Sequence, residues 1–598
     1  MSWLSGWNPI VSFPSYHGPY QVGTVDVEIP AADLPSPCET PGNAAETISF
    51  RIFYPCHMPD PSDATRPVRW IPNPQRPTMR AFANFLGVKN PKIANLISWM
   101  PQQLYWISLP AHRNAKLLNP PTRNGRWPVA VFSHGLAGSR NAYSYVCGDM
   151  ASNGMVVIAL DHRDGSSPIQ YVRETSSTKP RIVDPVKISH EPSLEVYEAR
   201  DKQLRVRLWE ISLAYEALMK IDGGQRLENL DINASTKRKE RVEVLYMFNE
   251  MLDIHRAGKV TWAGHSYGAC TTVQLLKSIF YSTDRPADAG KPLIVPNSDA
   301  AIAHQIMPES PVILMDMWGL PFKSPDQAYL WDKPLPSYAI GGPSGSNVVS
   351  ILSEAFFNWD DNLSITKHIV GAPSLSRRPS TAPRLSRAPG QLVPDWARLA
   401  RDQSPGRDSG YASGNTPLRP LNRQRSKASG LSQACSRMSQ PQSASDSNTA
   451  SKTRTLGPHM FYVKQSQHFN QSDFGLLFPW IAKRVTKAED PEHIMELNFR
   501  AFQQTLRENG IEIAGEDDKE ILGEEGEIHR WIHIAIEDEP LSPAGPVGSP
   551  QAIKAMTRKL SVISNKSVPS PRDGMTMGMK VDDQLNLPRL DLPEAAVV

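Results

Sequence analysis

One pentapeptide constrains this chain more than any other feature: Gly264-His265-Ser266-Tyr267-Gly268, a G-x-S-x-G. Alone the pattern is weak, because a chain of this length can contain one by chance. Its flanks give it weight. Val260-Thr261-Trp262-Ala263 reads as a strand and Ala269 to Phe280 as a helix. A serine on a sharp strand-to-helix turn sits on strained backbone, and only small neighbours leave room for that turn. The arrangement predicts a nucleophile elbow with Ser266 at its tip. The plain alternative is a glycine-rich turn with a solvent-facing serine.

Three further segments fit the same chemistry. Val131-Phe132-Ser133-His134-Gly135-Leu136-Ala137-Gly138 is a buried strand running into a His-Gly loop. Acyl transfer needs two preset N–H donors at the developing oxyanion. The backbone amides of Leu136 and of Tyr267, the residue after the serine, are the candidates. Pro311 to Met315 is an apolar strand ending in Asp316, placed to orient a histidine. His468 lies in a polar loop after a short strand at Met460 to Val463. The chain order Ser266, Asp316, His468 is that of the α/β-hydrolases. Asp161 also follows an apolar run but precedes the serine, the wrong order for the acid. His529 and His533 are four apart without the H-E-x-x-H pattern, and no metal site is expected.

Around these motifs, β-rich runs alternate with helical patterns, the sign of an α/β layer fold. Val129 to Phe132 and Met155 to Leu160 are continuous apolar runs, as in central strands covered on both faces. Leu204, Leu208, Ile211, Tyr215 and Leu218 mark one face of a helix within 196–220, and Ile494, Leu497, Phe502 and Leu506 one face of a helix over 491–509. The expected fold is α/β: an α/β-hydrolase with a mostly parallel central sheet. Residues 14–370 form its first part, with nucleophile, oxyanion loop and acid. Residues 456–515 form its second part, with the histidine and a final helix. Between them, 372–455 is Ser, Pro, Arg and Gln-rich. It carries fourteen Lys/Arg against four Asp and no Glu, a charge of +10 that leaves −7 for the rest of a chain whose net charge is +3. Such a segment cannot bury enough apolar surface to fold, and it reads as disordered, as does the tail 542–598.

Five cysteines (Cys38, Cys56, Cys147, Cys270, Cys435) are odd in number and share no metal-ligand spacing, which suits a reducing, cytoplasmic setting. The first residues lack the basic and apolar regions of a signal peptide, and no stretch reaches the roughly 18 to 20 apolar residues of a spanning helix. The expectation is a soluble protein, at most peripheral on membranes. Phe82 to Pro110 mixes Phe85, Ile93, Trp99, Tyr105 and Trp106 with Lys89 and Lys92, and either packs in the core or lies at a lipid interface. The basic insert lacks the interleaved aromatics of a single-strand nucleic-acid binder. No nucleic-acid partner is expected.

Taken together, the motifs resemble the platelet-activating factor acetylhydrolases of the intracellular type. Asp316-Met317-Trp318-Gly319-Leu320-Pro321 is similar to that family's acid motif. Gly18-Pro19-Tyr20-Gln21-Val22-Gly23, Phe132 to Leu136, Asp161-His162-Arg163-Asp164 and His468 to Phe474 resemble its N-terminal, oxyanion, following-strand and histidine-loop motifs. The long Ser266-to-Asp316 interval and the insert before His468 depart from the pattern. Neither forbids assembly, because loop-closure cost rises slowly with length. The resemblance implies a calcium-independent serine esterase that needs no cofactor. Its substrate would be the sn-2 short-chain, acetyl or oxidised, ester of a phospholipid. A general esterase on small soluble esters and a non-catalytic scaffold are the alternatives.

Overall fold

The computed structural model describes residues 11–60, 66–85, 102–373, 457–479, 489–514, 520–523 and 528–536, with isolated residues 93, 95, 98, 99 and 483 between them. The low-complexity insert from residue 374 onward and the tail 542–598 lie outside the described residues, so their expected disorder is not tested. The described residues up to 372 and from 457 onward fall in one unit.

A ten-stranded sheet is its frame. In chain order the strands are β1 (Gln21–Pro30), β2 (Thr47–Cys56), β3 (His112–Arg113), β4 (Val129–Ser133), β5 (Val156–Leu160), β6 (Gln170–Val172), β7 (Arg181–Val183), β8 (Thr261–His265), β9 (Val312–Met315), β10 (Val348–Ser353), β11 (His459–Val463) and β12 (Trp531–His533). β6 and β7 pair only with each other. The others are ordered β12-β11-β10-β9-β8-β4-β5-β2-β1-β3. From β11 through β8 to β5 every pairing is parallel, whereas β2 joins β5 and β1 antiparallel. β4, β5, β8 and β9 are buried along their whole length, as expected for parallel strands covered on both faces. β12, which holds His533, has no counterpart among the strands that the sequence pattern predicts. It pairs antiparallel with β11, placing Tyr462 opposite Ile532.

Six helices matter below: α1 (Gln75–Phe85), α2 (Ser144–Ser152), α3 (Leu194–Asp222), α4 (Tyr267–Phe280), α5 (Asp360–Val370) and α6 (Pro491–Glu508). α3 and α4 pack into one hydrophobic core with β2, β4 and β8, and α2 and α6 into a second on the other sheet face. The five predicted core residues of α3 are all buried, but so are Arg207 and Glu210 on its other faces. Among the described residues, no helix is long and apolar enough to cross a membrane. This is the α/β-hydrolase architecture: a mostly parallel sheet, helices on both faces, and strand ends that gather the residues of interest on one edge.

Candidate active site

Ser266 sits where β8 turns into α4, with φ 57° and ψ −120°. Two glycines make that turn possible. A Cβ on Gly264 would lie 2.4 Å from the Gly268 carbonyl group, and one on Gly268 only 1.9 Å from the Ser133 carbonyl oxygen. A side chain at Gly264 would therefore force the turn itself open, and one at Gly268 would push the elbow off β4. The Ser266 N–H donates to the Met315 carbonyl (2.8 Å), and its carbonyl accepts from Trp318 (3.2 Å), which ties the elbow to the end of β9.

Asp316 follows β9 and is fully buried, with a left-handed φ of 41°. Its Oδ1 accepts from the Ser353 N–H (2.6 Å) and its Oδ2 from the Ser353 hydroxyl (2.7 Å). Oδ2 also meets His468 Nδ1 at 2.9 Å. The structure thus brings the predicted acid and histidine together across 152 residues of chain. The His468 ring lies between two others: Phe356, stacked at 4.5 Å and 8°, and His265, at 4.3 Å and 31°. Donor atoms of His265, Asp316 and His468 lie within 4.8 Å of one another, the kind of convergence that can hold a metal ion. Here hydrogen bonds account for it, since Asp316 spends its oxygens on Ser353 and His468.

The predicted oxyanion loop passes directly over the elbow, where a Cβ on Gly135 would come within 3.0 Å of Ser266 Cβ. The amide of Gly135 donates to Tyr143 Oη (3.2 Å) and that of Ala137 to the Ser166 carbonyl (2.9 Å). The Leu136 amide between them has no acceptor among the described residues. Tyr267 is the first residue of α4, where backbone N–H groups have no intrahelical partner. Ala137, like Ser266 and Asp316, has positive φ (59°), so uncommon backbone gathers around the serine.

Several supporting residues escaped the sequence reading. On α3, Arg207 forms a fully buried ion pair with Asp164 (2.6 Å), donates to the His134 carbonyl (2.7 Å) and reaches Ser166 Oγ (2.7 Å). Glu210 Oε2 meets His162 Nδ1 at 2.8 Å and Oε1 accepts from the Arg163 N–H at 2.9 Å. Burial disfavours charge on both partners, raising the Glu210 carboxyl to about 8 and lowering the His162 imidazole well below its usual value. The His162 N–H in turn donates to His134 Nε2 (3.0 Å). Burial, aided by the Arg207 charge, lowers His134 to about 4. Burial also lowers His265, whose Nδ1 bonds Tyr143 Oη at 2.7 Å. These contacts give the motif Asp161-His162-Arg163-Asp164 its physical role: it braces the predicted oxyanion loop. Trp318 of the acid motif packs edge-on against Tyr267 (5.7 Å), coupling the acid loop to the elbow.

With this geometry in place, the comparisons with known proteins converge. The family described as platelet-activating factor acetylhydrolase, isoform II, matches residues 5–289, a span holding the oxyanion loop and Ser266 but not Asp316 or His468. Over that span the chain is similar to the platelet-activating factor acetylhydrolases. Enzymes of that name from guinea pig (Cavia porcellus) and cattle (Bos taurus) are 28% and 27% identical over 275 and 237 residues. Those matches cover 44% and 38% of this chain and only about half of the relatives, 52% and 46%. A Schizosaccharomyces pombe protein named "Putative phospholipase A2" matches much further, at 26% identity over 539 residues, 86% of this chain and 97% of its own. A solved ferulic acid esterase from Streptomyces cinnamoneus overlays 54% of this chain and 73% of its own at 18% identity and a TM-score of 0.28, too slight a likeness to add to the topology.

Proposed function

We propose that this protein is a calcium-independent serine hydrolase of phospholipid esters, with Ser266 as nucleophile, His468 as general base and Asp316 as its orienting acid. The observation that carries the reading is the strained serine at the end of β8 with buried Asp316 bonded to partly exposed His468 at nearby strand ends. Ser266 Oγ attacks the ester carbonyl carbon as His468 Nε2 takes the hydroxyl proton. Asp316, on Nδ1, fixes the tautomer that leaves Nε2 free to accept and stabilises the imidazolium that forms. The Leu136 and Tyr267 amides receive the oxyanion, each worth about 3 to 4 kcal/mol in the transition state. His468 then returns the proton to the leaving alkoxide. Water, deprotonated by the same imidazole, attacks the acyl-enzyme and releases the carboxylic acid. No cofactor takes part.

The relatives' names, platelet-activating factor acetylhydrolase and phospholipase A2, support a phospholipid ester as substrate. The proposed substrate within that class is the sn-2 short-chain ester, acetyl or oxidised, of platelet-activating-factor-like phospholipids, with lysophospholipid and a short acid as products. A lipid substrate calls for an approach to a lipid surface. Within the segment Phe82 to Pro110, Ile93, Trp99 and Trp106 are each about half exposed, and the Arg76 and Arg69 guanidiniums lie over the two tryptophan rings. Exposed tryptophans beside arginines suit a headgroup region, so this face is the proposed peripheral contact, with the cytoplasm as the proposed location.

The test is calcium-free hydrolysis of acetyl, medium-chain and long-chain sn-2 phosphatidylcholines by wild type and Ser266→Ala. Cleavage of the shorter chains that disappears in Ser266→Ala, by a factor on the order of 10⁴ or more, is the expected result. Cleavage of soluble esters alone would keep the nucleophile and remove the lipid.

A further inference from the structure

Shortly after His468 in the chain stands Asp473, fully buried at the start of a short helix, Asp473–Leu477. Its carboxylate serves a different element. Oδ2 accepts from the Ser144 N–H and Oδ1 from the Tyr145 N–H, each at 2.9 Å, and these are the first two residues of α2. Oδ2 also accepts from Trp70 Nε1 at 3.1 Å. The N–H groups of a helix's first turn have no intrahelical partner, and the helix dipole favours an anion there. Tyr143, at the N-terminal end of α2, supplies no side-chain cap. Asp473 caps the helix instead, from 328 residues further along the chain.

The residues between His468 and Asp473 pass that anchorage on. His468–Gln471 is one tight turn, closed by the Gln467 N–H on Asn470 Oδ1 (2.8 Å) and by the Ser472 hydroxyl on the Phe469 carbonyl (2.8 Å). The short helix lies directly against it, because a Cβ on Gly475 would meet the Phe469 carbonyl oxygen and Asn470 Cα at 2.8 Å. Turn and helix are therefore one piece. On one side Gln471 Nε2 donates to the Ile351 carbonyl of β10 (3.2 Å). On the other, Asp473 grips α2, and Phe474 and Phe478 pack on the Trp70 ring (5.4 and 6.1 Å). The same end of α2 holds the elbow: Tyr143 Oη accepts from the Gly135 N–H (3.2 Å) and bonds Nδ1 of His265, the residue before Ser266 (2.7 Å). Histidine turn and serine elbow thus share one reference point. The Asp316 bond orients the imidazole, and these anchors decide where its backbone stands.

We propose that Asp473 is the positioning residue of His468: by docking the histidine turn on the N-terminal end of α2, it fixes how far Nε2 stands from Ser266 Oγ. It touches neither substrate nor reacting atoms and acts through His468 alone. The inference rests on the roles proposed above for Ser266 and His468, but not on the nature of the ester.

The experiment uses the full chain and p-nitrophenyl acetate, with active sites counted by reaction to completion with a fluorophosphonate. Asp473→Asn keeps the size of the side chain but turns one oxygen into an NH2 that faces an N–H donor. Since a misplacement of about 1 Å can cost on the order of 10²-fold, kcat per counted site is expected to fall roughly 10- to 100-fold, with KM within about threefold. In a His468→Ala background, with rates taken per folded chain by circular dichroism, the same substitution is expected to change the residual rate by less than about twofold. Trp70→Phe removes one donor and keeps a ring against Phe474 and Phe478. It is expected to lower kcat roughly two- to fivefold, and it carries the test should Asp473→Asn not fold. An unchanged kcat per counted site in the variants that fold, beside a lowered melting temperature, would overturn the inference, because Asp473 would then only cap α2. A loss confined to KM, or an equal loss with and without His468, would overturn it too. Hydrolysis that survives Ser266→Ala would instead fault the catalytic reading.

Discussion

The two flanks of Ser266 are built on opposite plans. Toward β4 and β5, the predicted oxyanion loop rests on buried polar groups: Arg207 bonds both Asp164 and the His134 carbonyl, His134 Nε2 accepts from the His162 N–H, and His162 meets Glu210. Toward β9 to β11, His468 is partly exposed and held by one carboxylate bond and two ring contacts. The difference matches what the proposed mechanism asks of each flank. Amides that receive an oxyanion are worth most when they need not reorganise, which asks for rigidity. An imidazole that takes and returns a proton must reach both serine and leaving group, which asks for orientation with some freedom. The first flank should therefore fail through stability when damaged, and the second through turnover.

The largest effect is expected on the partly exposed flank. Asp316→Asn should lower kcat by about 10³ to 10⁴, since an amide NH2 facing His468 Nδ1 favours the wrong tautomer. Steady-state kinetics on any cleaved ester, beside circular dichroism, separates this from unfolding. Retention of more than a tenth of wild-type kcat would remove Asp316 from the mechanism.

On the rigid flank, Arg207→Met should act in the other sense. It leaves the Asp164 carboxylate buried without its partner, a change that costs about 3 to 5 kcal/mol. Urea unfolding should show the full loss, while any folded fraction keeps Ser266 reactive toward a fluorophosphonate probe. An Arg207→Met protein as stable as wild type but catalytically dead would reverse the contrast between the flanks.

That contrast was only half legible in the sequence. Ser266, Asp316 and His468 each come just after an apolar strand, so local patterning placed them and the order of the fold connected them. The brace was not legible, because its bonds join residues far apart in the chain, 43 residues from Asp164 to Arg207 and 48 from His162 to Glu210. The periodicity of α3 marks one apolar face, and a charged residue off that face reads as solvated. In the fold α3 is covered on several sides, so Arg207 and Glu210 become interior groups that need partners. The strand β12 escaped for a different reason. Three residues in an acidic stretch carry no period, and only pairing with β11 makes them a strand.

The smallest effect tests the brace by pH. His134 Nε2 accepts the His162 N–H, so protonating it would break that bond inside a buried, Arg207-charged pocket. Its folded value, about 4, lies below the ordinary 6.5 of the unfolded chain. Between those values the unfolded state binds the proton and the folded state does not, so this contribution is complete above pH 6.5 and is lost as pH falls toward 4. The loss amounts to ~1.4 kcal/mol per pH unit. Glu210, raised to about 8, works in the opposite direction, and other buried groups overlay the total, so the whole-protein slope does not isolate His134. The difference between wild type and His134→Gln does, because the amide oxygen can still accept from His162 but cannot titrate. Urea midpoints at pH 7.5 and 5.0 should show the variant gaining about 2 kcal/mol on wild type between the two. A constant difference would mean that His134 accepts its proton within the fold, and that this flank yields to acid as an exposed one does.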